Sequence, residues 1–409
     1  MRRVGLGVTC LALAFAASGC GGDSGGNDGS GASGGSGASG GSGGSGGSGA
    51  SGGGGTGGQV TLPPEVERCG SKSFEVSADP AERGPWPVGA RTLDVGGVTT
   101  EVWYPAEYGS ERGQDAVIYD LRKWLPDAEQ AKIPDADNPW QNCDCYRDLP
   151  LDTGRGPYPV VVFIHGTAAF RTQSLSQMTH WASRGFIVLS QDHQGLYLGD
   201  LLQFKFGADL PGDTSALLSA LDAGSSGLDF LGDRADLTRI GMAGHSAGGG
   251  GIAAFGQTAG VKVLIPMAAG GVDPTPESTL IMGALDDGVV AFSRQSDAYA
   301  AAAPKKRLVG LGNAGHLAFS DLCGLTNTKG QDLVAVAQEY NITNANLATM
   351  LWDGCADGQL PQPTATEIVN FATTAAFEEV LACSPDASAA LSGIQTKYSD
   401  VSEYQEQLN

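Results

Sequence analysis

The chain has 409 residues and a formal charge of −21 at pH 7. So acidic a surface repels phosphate backbones, which argues against a nucleic-acid partner. Hydrophobic residues make up 41% of the chain, enough for a substantial core once its glycine-rich start is set aside.

Residues 1–20 read as a targeting segment rather than as part of a fold. Arg2 and Arg3 precede an apolar run over 4–17 that is too short to span a bilayer comfortably. Ala17, Ser18 and Gly19 then lead into Cys20, the pattern of a bacterial lipobox. The expectation is an exported protein held by lipid on Cys20 at the outer membrane or cell surface; ordinary cleavage and secretion is the alternative. Residues 21–58 are almost wholly Gly, Ser and Ala. Such a segment cannot bury apolar surface and is expected to act as a flexible tether, reaching about 35 Å.

The folded body is placed at 60–390, with a C-terminal tail at 391–409. Six cysteines remain beyond Cys10 and Cys20: Cys69, Cys143, Cys145, Cys323, Cys355 and Cys383. An even number in an exported chain implies three disulfides, of unspecified pairing. A metal clip at Cys143 and Cys145 is disfavoured, because no second Cys/His pair stands at ligand spacing.

In chain order, residues 91–104 carry β-branched and aromatic runs around Gly96 and Gly97, a hairpin signal. Residues 106–157 are polar and proline-rich and read as an irregular insertion. Short apolar runs follow at 160–164, 186–189, 240–243, 261–265, 280–282 and 307–309. Strands buried on both faces look like this. Helical patterns lie between them at 173–184, 214–231, 249–257 and 290–303, with two more at 331–351 and 366–381. Alternation of this kind predicts an α/β domain with a mostly parallel central sheet flanked by helices.

The pattern Gly-x-Ser-x-Gly occurs around Ser246, but also around Ser24, Ser33, Ser39, Ser42, Ser45 and Ser51 in the glycine–serine stretch. Only Ser246 has an apolar strand before it and a helical pattern after it, the context of a nucleophile elbow. A serine hydroxyl needs a base, and the base an orienting carboxylate. Where such an elbow opens the site, the acid and the histidine follow it in that order. Of five histidines only His316 comes after Ser246, in a glycine-rich loop past an apolar run. Asp286 is the preferred acid, beyond the 280–282 run, with Asp287 as the alternative. The oxyanion donors are expected to be the amides of Ala247 and of Thr167, with Ala168 as the alternative to Thr167. His165 is expected to pack beneath the Thr167 loop and His245 to stand beside the site. His193 is expected to line a pocket or hold a loop, and His180 to be partly exposed.

Five stretches occur in a telling order: Trp103-Tyr104-Pro105, Phe163-Ile164-His165-Gly166, Asp192-His193-Gln194-Gly195, Gly244-His245-Ser246-Ala247-Gly248-Gly249 and Gly315-His316-Leu317-Ala318-Phe319. Together they resemble the platelet-activating-factor acetylhydrolase and dienelactone hydrolase-like branch of the α/β-hydrolases, which neighbours bacterial cutinases and polyester hydrolases. The resemblance spans residues 85–383. It implies an α/β-hydrolase fold with Ser246 as nucleophile, His316 as base, Asp286 as acid, and Thr167 with Ala247 as oxyanion donors. Dienelactone hydrolases proper carry a cysteine where this chain has Ser246, and the 106–157 insertion departs from the compact cutinase-like chains. The implied reaction is hydrolysis of short or modest-size carboxylic esters through an acyl-enzyme, by a monomer needing no metal or organic cofactor. Polyester hydrolase and lipase activity are the alternatives, followed by a non-catalytic binding lipoprotein.

Overall fold

The computed structural model describes residues 61–409. The targeting segment, Cys20 and the glycine–serine stretch lie outside the described residues. A small antiparallel pair, β1 (Glu65–Arg68) and β2 (Ser71–Phe74), stands apart from one large sheet. That sheet contains β3 (Val88–Val95), β4 (Val98–Pro105), β5 (Ala116–Tyr119), β6 (Gln141–Arg147), β7 (Tyr158–Ile164), β8 (Ile187–Gln191) and β9 (Ala235–His245). It continues with β10 (Val261–Met267), β11 (Ser278–Ala284), β12 (Lys306–Leu311) and β13 (Val401–Gln407). The spatial order is β13-β12-β11-β10-β9-β7-β8-β4-β3-β6-β5. The six strands from β12 to β8 run parallel, while β4 and β13 join antiparallel at either side.

Every residue of β7, β11 and β12 is buried, which is why these strands read as apolar runs without alternation. The period of two still sorts their side chains by face. Val161 and Phe163 pack in one core with Met178, Trp181 and Phe377, from the helices Leu175–Ser183 and Gln362–Leu381. Val160, Val162 and Ile164 pack in the other with Leu217 and Leu221 of the helix Leu210–Ala223. The sheet is thus filled on both sides and its strand ends are held rigidly.

Three expectations need correction. The 106–157 insertion is not wholly irregular, for it contributes β6, which pairs with β3, and the edge strand β5 beyond it. Residues 391–409 are not a tail, because β13 pairs with β12 from Lys306–Gln407 to Leu311–Val401. As an edge strand, β13 is polar, and Arg307 beneath it is paired with Glu379 at 2.7 Å and Glu406 at 3.4 Å. The 331–351 pattern is two short helices, Leu333–Glu339 and Asn346–Thr349. The disulfides are Cys69–Cys383, Cys143–Cys145 and Cys323–Cys355. Cys143 and Cys145 are bonded to each other, so they do not form a metal clip.

Candidate active site

The parallel strands deliver their following loops to one edge of the sheet, where open α/β folds place their chemistry. Ser246 follows β9 and sits at φ 55°, ψ −121°. A side chain in that conformation is strained, and only the surrounding packing holds it there. Its amide donates to the Met267 carbonyl at 2.9 Å. The helix Ala247–Gly251 begins at once. A Cβ on Gly248 would overlap the Ile164 carbonyl, and one on Gly244 would overlap the Gly248 backbone. Both glycines are therefore required by close approach.

His316 opens the turn after β12. Its Nδ1 lies 2.9 Å from Oδ2 of Asp287, and both side chains are closed off from solvent. The other oxygen, Oδ1, accepts from the Val289 and Val290 amides at 2.8 and 2.7 Å. With Nδ1–H given to the carboxylate, the lone pair of His316 sits on Nε2. The acid paired with His316 is Asp287 and not Asp286. The Asp286 amide donates to the Ala314 carbonyl at 3.1 Å and the Asp287 amide turns back to Ala284 at 3.3 Å. That turn sends Asp286 to solvent and Asp287 inward.

His245, directly before the serine, is buried and ties the site together. Its Nδ1 accepts from Gln173 Nε2 at 2.7 Å and its Nε2 donates to the His316 carbonyl at 2.9 Å. One donor and one acceptor require neutral imidazole. Burial, and then the neighbouring His316, push its pKa down to about 3. Oε1 of Gln173 in turn accepts from the Gly166 amide at 2.8 Å. The loop after β7, the elbow and the base loop are thus joined by one relay of hydrogen bonds. Among the described residues, Ser246 Oγ has no hydrogen-bond partner, as is common before substrate closes a site.

A Cβ on Gly166 would stand 3.0 Å from His245 Nδ1 and 3.2 Å from Ser246 Cβ, so this loop passes close over the elbow. Thr167 is the next residue of that loop. The Ala168 amide is already donated to the Leu196 carbonyl at 2.9 Å. Among the described residues, the Thr167 and Ala247 amides have no acceptor. His165 sits beneath the loop, its Nδ1 donating to Gly166 O at 2.8 Å and its Nε2 accepting from the His193 amide at 3.2 Å. His193 holds a loop through Asp213 at 2.9 Å. His180 is buried, not partly exposed, and donates to the Pro80 carbonyl at 2.8 Å.

Residues 72–196 match the family "Platelet-activating factor acetylhydrolase, isoform II". The chain has the α/β-hydrolase fold, and over residues 72–196 it is similar to the platelet-activating-factor acetylhydrolase group. A ferulic acid esterase from Streptomyces cinnamoneus shares the fold at a TM-score of 0.51 and 19% identity, over 75% of this chain and 93% of that one. No curated protein matches the chain. The family match ends before Ser246, so in this α/β-hydrolase the pairing of His316 and Asp287 stands on geometry alone.

Two residues of this α/β-hydrolase escaped the sequence reading. Gln173 is the relay described above. Asp353 places Oδ2 2.8 Å from the His316 amide and 2.9 Å from the Gly288 amide, bridging the base loop to the acid loop. Its carbonyl also accepts from Leu317 at 2.8 Å. Neither residue sits in a motif. The faint signal for Asp353 is Cys355, two residues on, whose disulfide to Cys323 spans the chain just after His316. Among the described residues no cluster of His, Cys, Asp or Glu is arranged to hold a metal, and no helix is long and apolar enough to cross a membrane.

Proposed function

We propose that the protein is a serine carboxylic ester hydrolase that works through an acyl-enzyme on short or modest-size esters. The observation that carries this reading is the closed His316–Asp287 pair, at 2.9 Å, gathered with a strained serine elbow at the same sheet edge. His316 Nε2 takes the Ser246 proton as Oγ attacks the ester carbonyl, and Asp287 steadies the imidazolium that forms. The Thr167 and Ala247 amides receive the developing oxyanion. His316 returns the proton to the departing alcohol, and water repeats the sequence to release the acid. Likeness to the acetylhydrolase group supports ester cleavage, as does the fold shared with a ferulic acid esterase. Two segments, 121–139 and 333–352, wall one side of the approach, which favours a small ester over a polymer surface.

Ser246→Ala should abolish hydrolysis of p-nitrophenyl acetate and butyrate, and also labelling by a fluorophosphonate probe. Retained turnover in that variant would remove Ser246 from the mechanism.

A further inference from the structure

A cavity of about 220 Å3 adjoins the site, and its walls are overwhelmingly apolar. Its near end is formed by Thr167, Ala168 and Phe170, from the loop that passes over the elbow, together with Leu317 next to His316. Its body lies between the two walling segments. Leu125 and Ile133 come from one, Val336, Ala337 and Ile342 from the other, and Leu202 closes the gap. Several of these residues form a core cluster separate from both faces of the sheet.

The two segments are joined by polar contacts that hold the cavity's shape. Glu129, itself buried, accepts from the Thr343 amide at 2.8 Å and the Thr343 hydroxyl at 2.9 Å. Lys132 donates to the Asn341 carbonyl at 3.0 Å, and Asn344 to the Leu202 carbonyl at 2.8 Å. The Arg122 guanidinium, the one charged group on the wall, is taken up by Asp120 at 2.7 Å and Asp135 at 2.6 Å. No wall residue carries an unpaired charge to attract a carboxylate or an ammonium group.

We infer that this cavity is the acyl site, taking an unbranched apolar acyl chain of medium length; the inference rests on the serine-hydrolase reading. The direction follows from that mechanism. The carbonyl oxygen points at the Thr167 amide, so the acyl chain leaves the carbonyl carbon alongside Thr167, Ala168 and Phe170, which begin the cavity. The alcohol oxygen must instead face His316 Nε2; neither Ser246 nor His316 lines the cavity, which reaches the site through Thr167, Ala168, Phe170 and Leu317. At the ~30 Å3 that a water-sized group occupies in a liquid, about 220 Å3 holds a chain of about six to eight carbons.

Two ester series on the purified chain test this. One varies the acyl group on p-nitrophenol from acetate to dodecanoate, and the other varies the alcohol on acetate. In the acyl series kcat/KM should rise by about fourfold per methylene, the ~0.8 kcal/mol of burying one CH2, up to about six to eight carbons and then fall. The alcohol series should stay nearly flat. A flat acyl series, or length dependence in the alcohol series instead, overturns the inference while leaving the hydrolase intact. Absence of any ester turnover, with no fluorophosphonate on Ser246, overturns both. Val336→Trp should lower the octanoate-to-acetate ratio of kcat/KM by tenfold or more, and Ala337→Phe should act in the same direction. An unchanged ratio in whichever of these variants folds overturns the inference. The acyl series on the unaltered chain decides if neither does.

Discussion

The strand-end centre and the cap beside it are built on opposite principles. Asp287 and His316 stand on loops that leave fully buried parallel strands, Ser246 follows the buried end of β9, and Gln173 and His245 bind those loops into one unit. The segments 121–139 and 333–352 contain only helical pieces of three to seven residues. Helices this short are marginal alone, and these are held by side-chain contacts such as Glu129 to Thr343 and by the Cys323–Cys355 disulfide. The centre therefore owes its geometry to the sheet, whereas the cap owes its geometry to cross-links. Chemistry should fail when a centre side chain is removed, and selectivity and stability when a cap tether is cut.

The sharpest break is between two adjacent residues. Asp287→Ala should lower kcat by about 10^3–10^4-fold, because the imidazolium loses its partner and the ring its orientation. Asp286→Ala, at a solvent-facing position, should stay within about twofold. Steady-state kinetics on the two variants decide the assignment, and the opposite ranking would return Asp286 to the site.

The cap's dependence on cross-links is tested by comparing two disulfides. Cys323 and Cys355 close a long loop, with a separation of 32, whereas Cys143 and Cys145 are separated by 2. On the chain-entropy account, changing the first pair to serine should cost about 3–4 kcal/mol in urea unfolding and the second about 1–2 kcal/mol. The first change should also lower activity, since it loosens Asp353. Equal costs would mean that loop closure is not what stabilises the cap.

Asp353 is where cap and centre meet, so its effect should be intermediate. Asp353→Ala removes the one oxygen that joins the His316 and Gly288 amides. A displacement of the base near 1 Å costs about 10^2-fold, so a loss of about 10–100-fold in kcat with little change in KM is expected. Asp353→Asn keeps a carbonyl acceptor and should restore most of that loss. If alanine and asparagine behave alike, the bridge does not position the base.

The sequence made the centre legible and the cap nearly invisible, for the same physical reason. Runs such as Val160 to Ile164 are buried on both faces, and burial leaves its mark directly in residue type. Ser246 stood out because a strand and a helix frame it, and His316 because no other histidine follows the serine. Choosing between Asp286 and Asp287 needed the turn after β11, whose direction is set by amides reaching Ala314 and Ala284. The strands β6 and β13 were hidden by polarity, since each leaves alternate residues or more exposed. Gln173 and Asp353 act across 72 and 37 residues, distances over which no local pattern carries information.

The smallest expected effect separates the two regions by charge. All five histidines lie outside the cap segments, at positions 165, 180, 193, 245 and 316. Burial holds His165 and His180 down at about 4 and His245 at about 3. The unfolded chain takes up protons near 6.5 that the fold refuses, so their stabilisation is full above about 6.5 and is lost as pH falls toward 4 and 3. Asp321 runs the other way: burial lifts it to about 6, so its contribution is present below about 4 and is lost as pH rises past 6. Near pH 5 the net uptake on unfolding should be about two protons, three from the histidines less one from Asp321. His180→Gln keeps a donor for the Pro80 carbonyl and should reduce that slope by about one proton. Urea midpoints between pH 5 and 7 measure it. An unchanged slope would show that the loss of stability in acid comes from elsewhere, with the cap's carboxylates the next groups to examine.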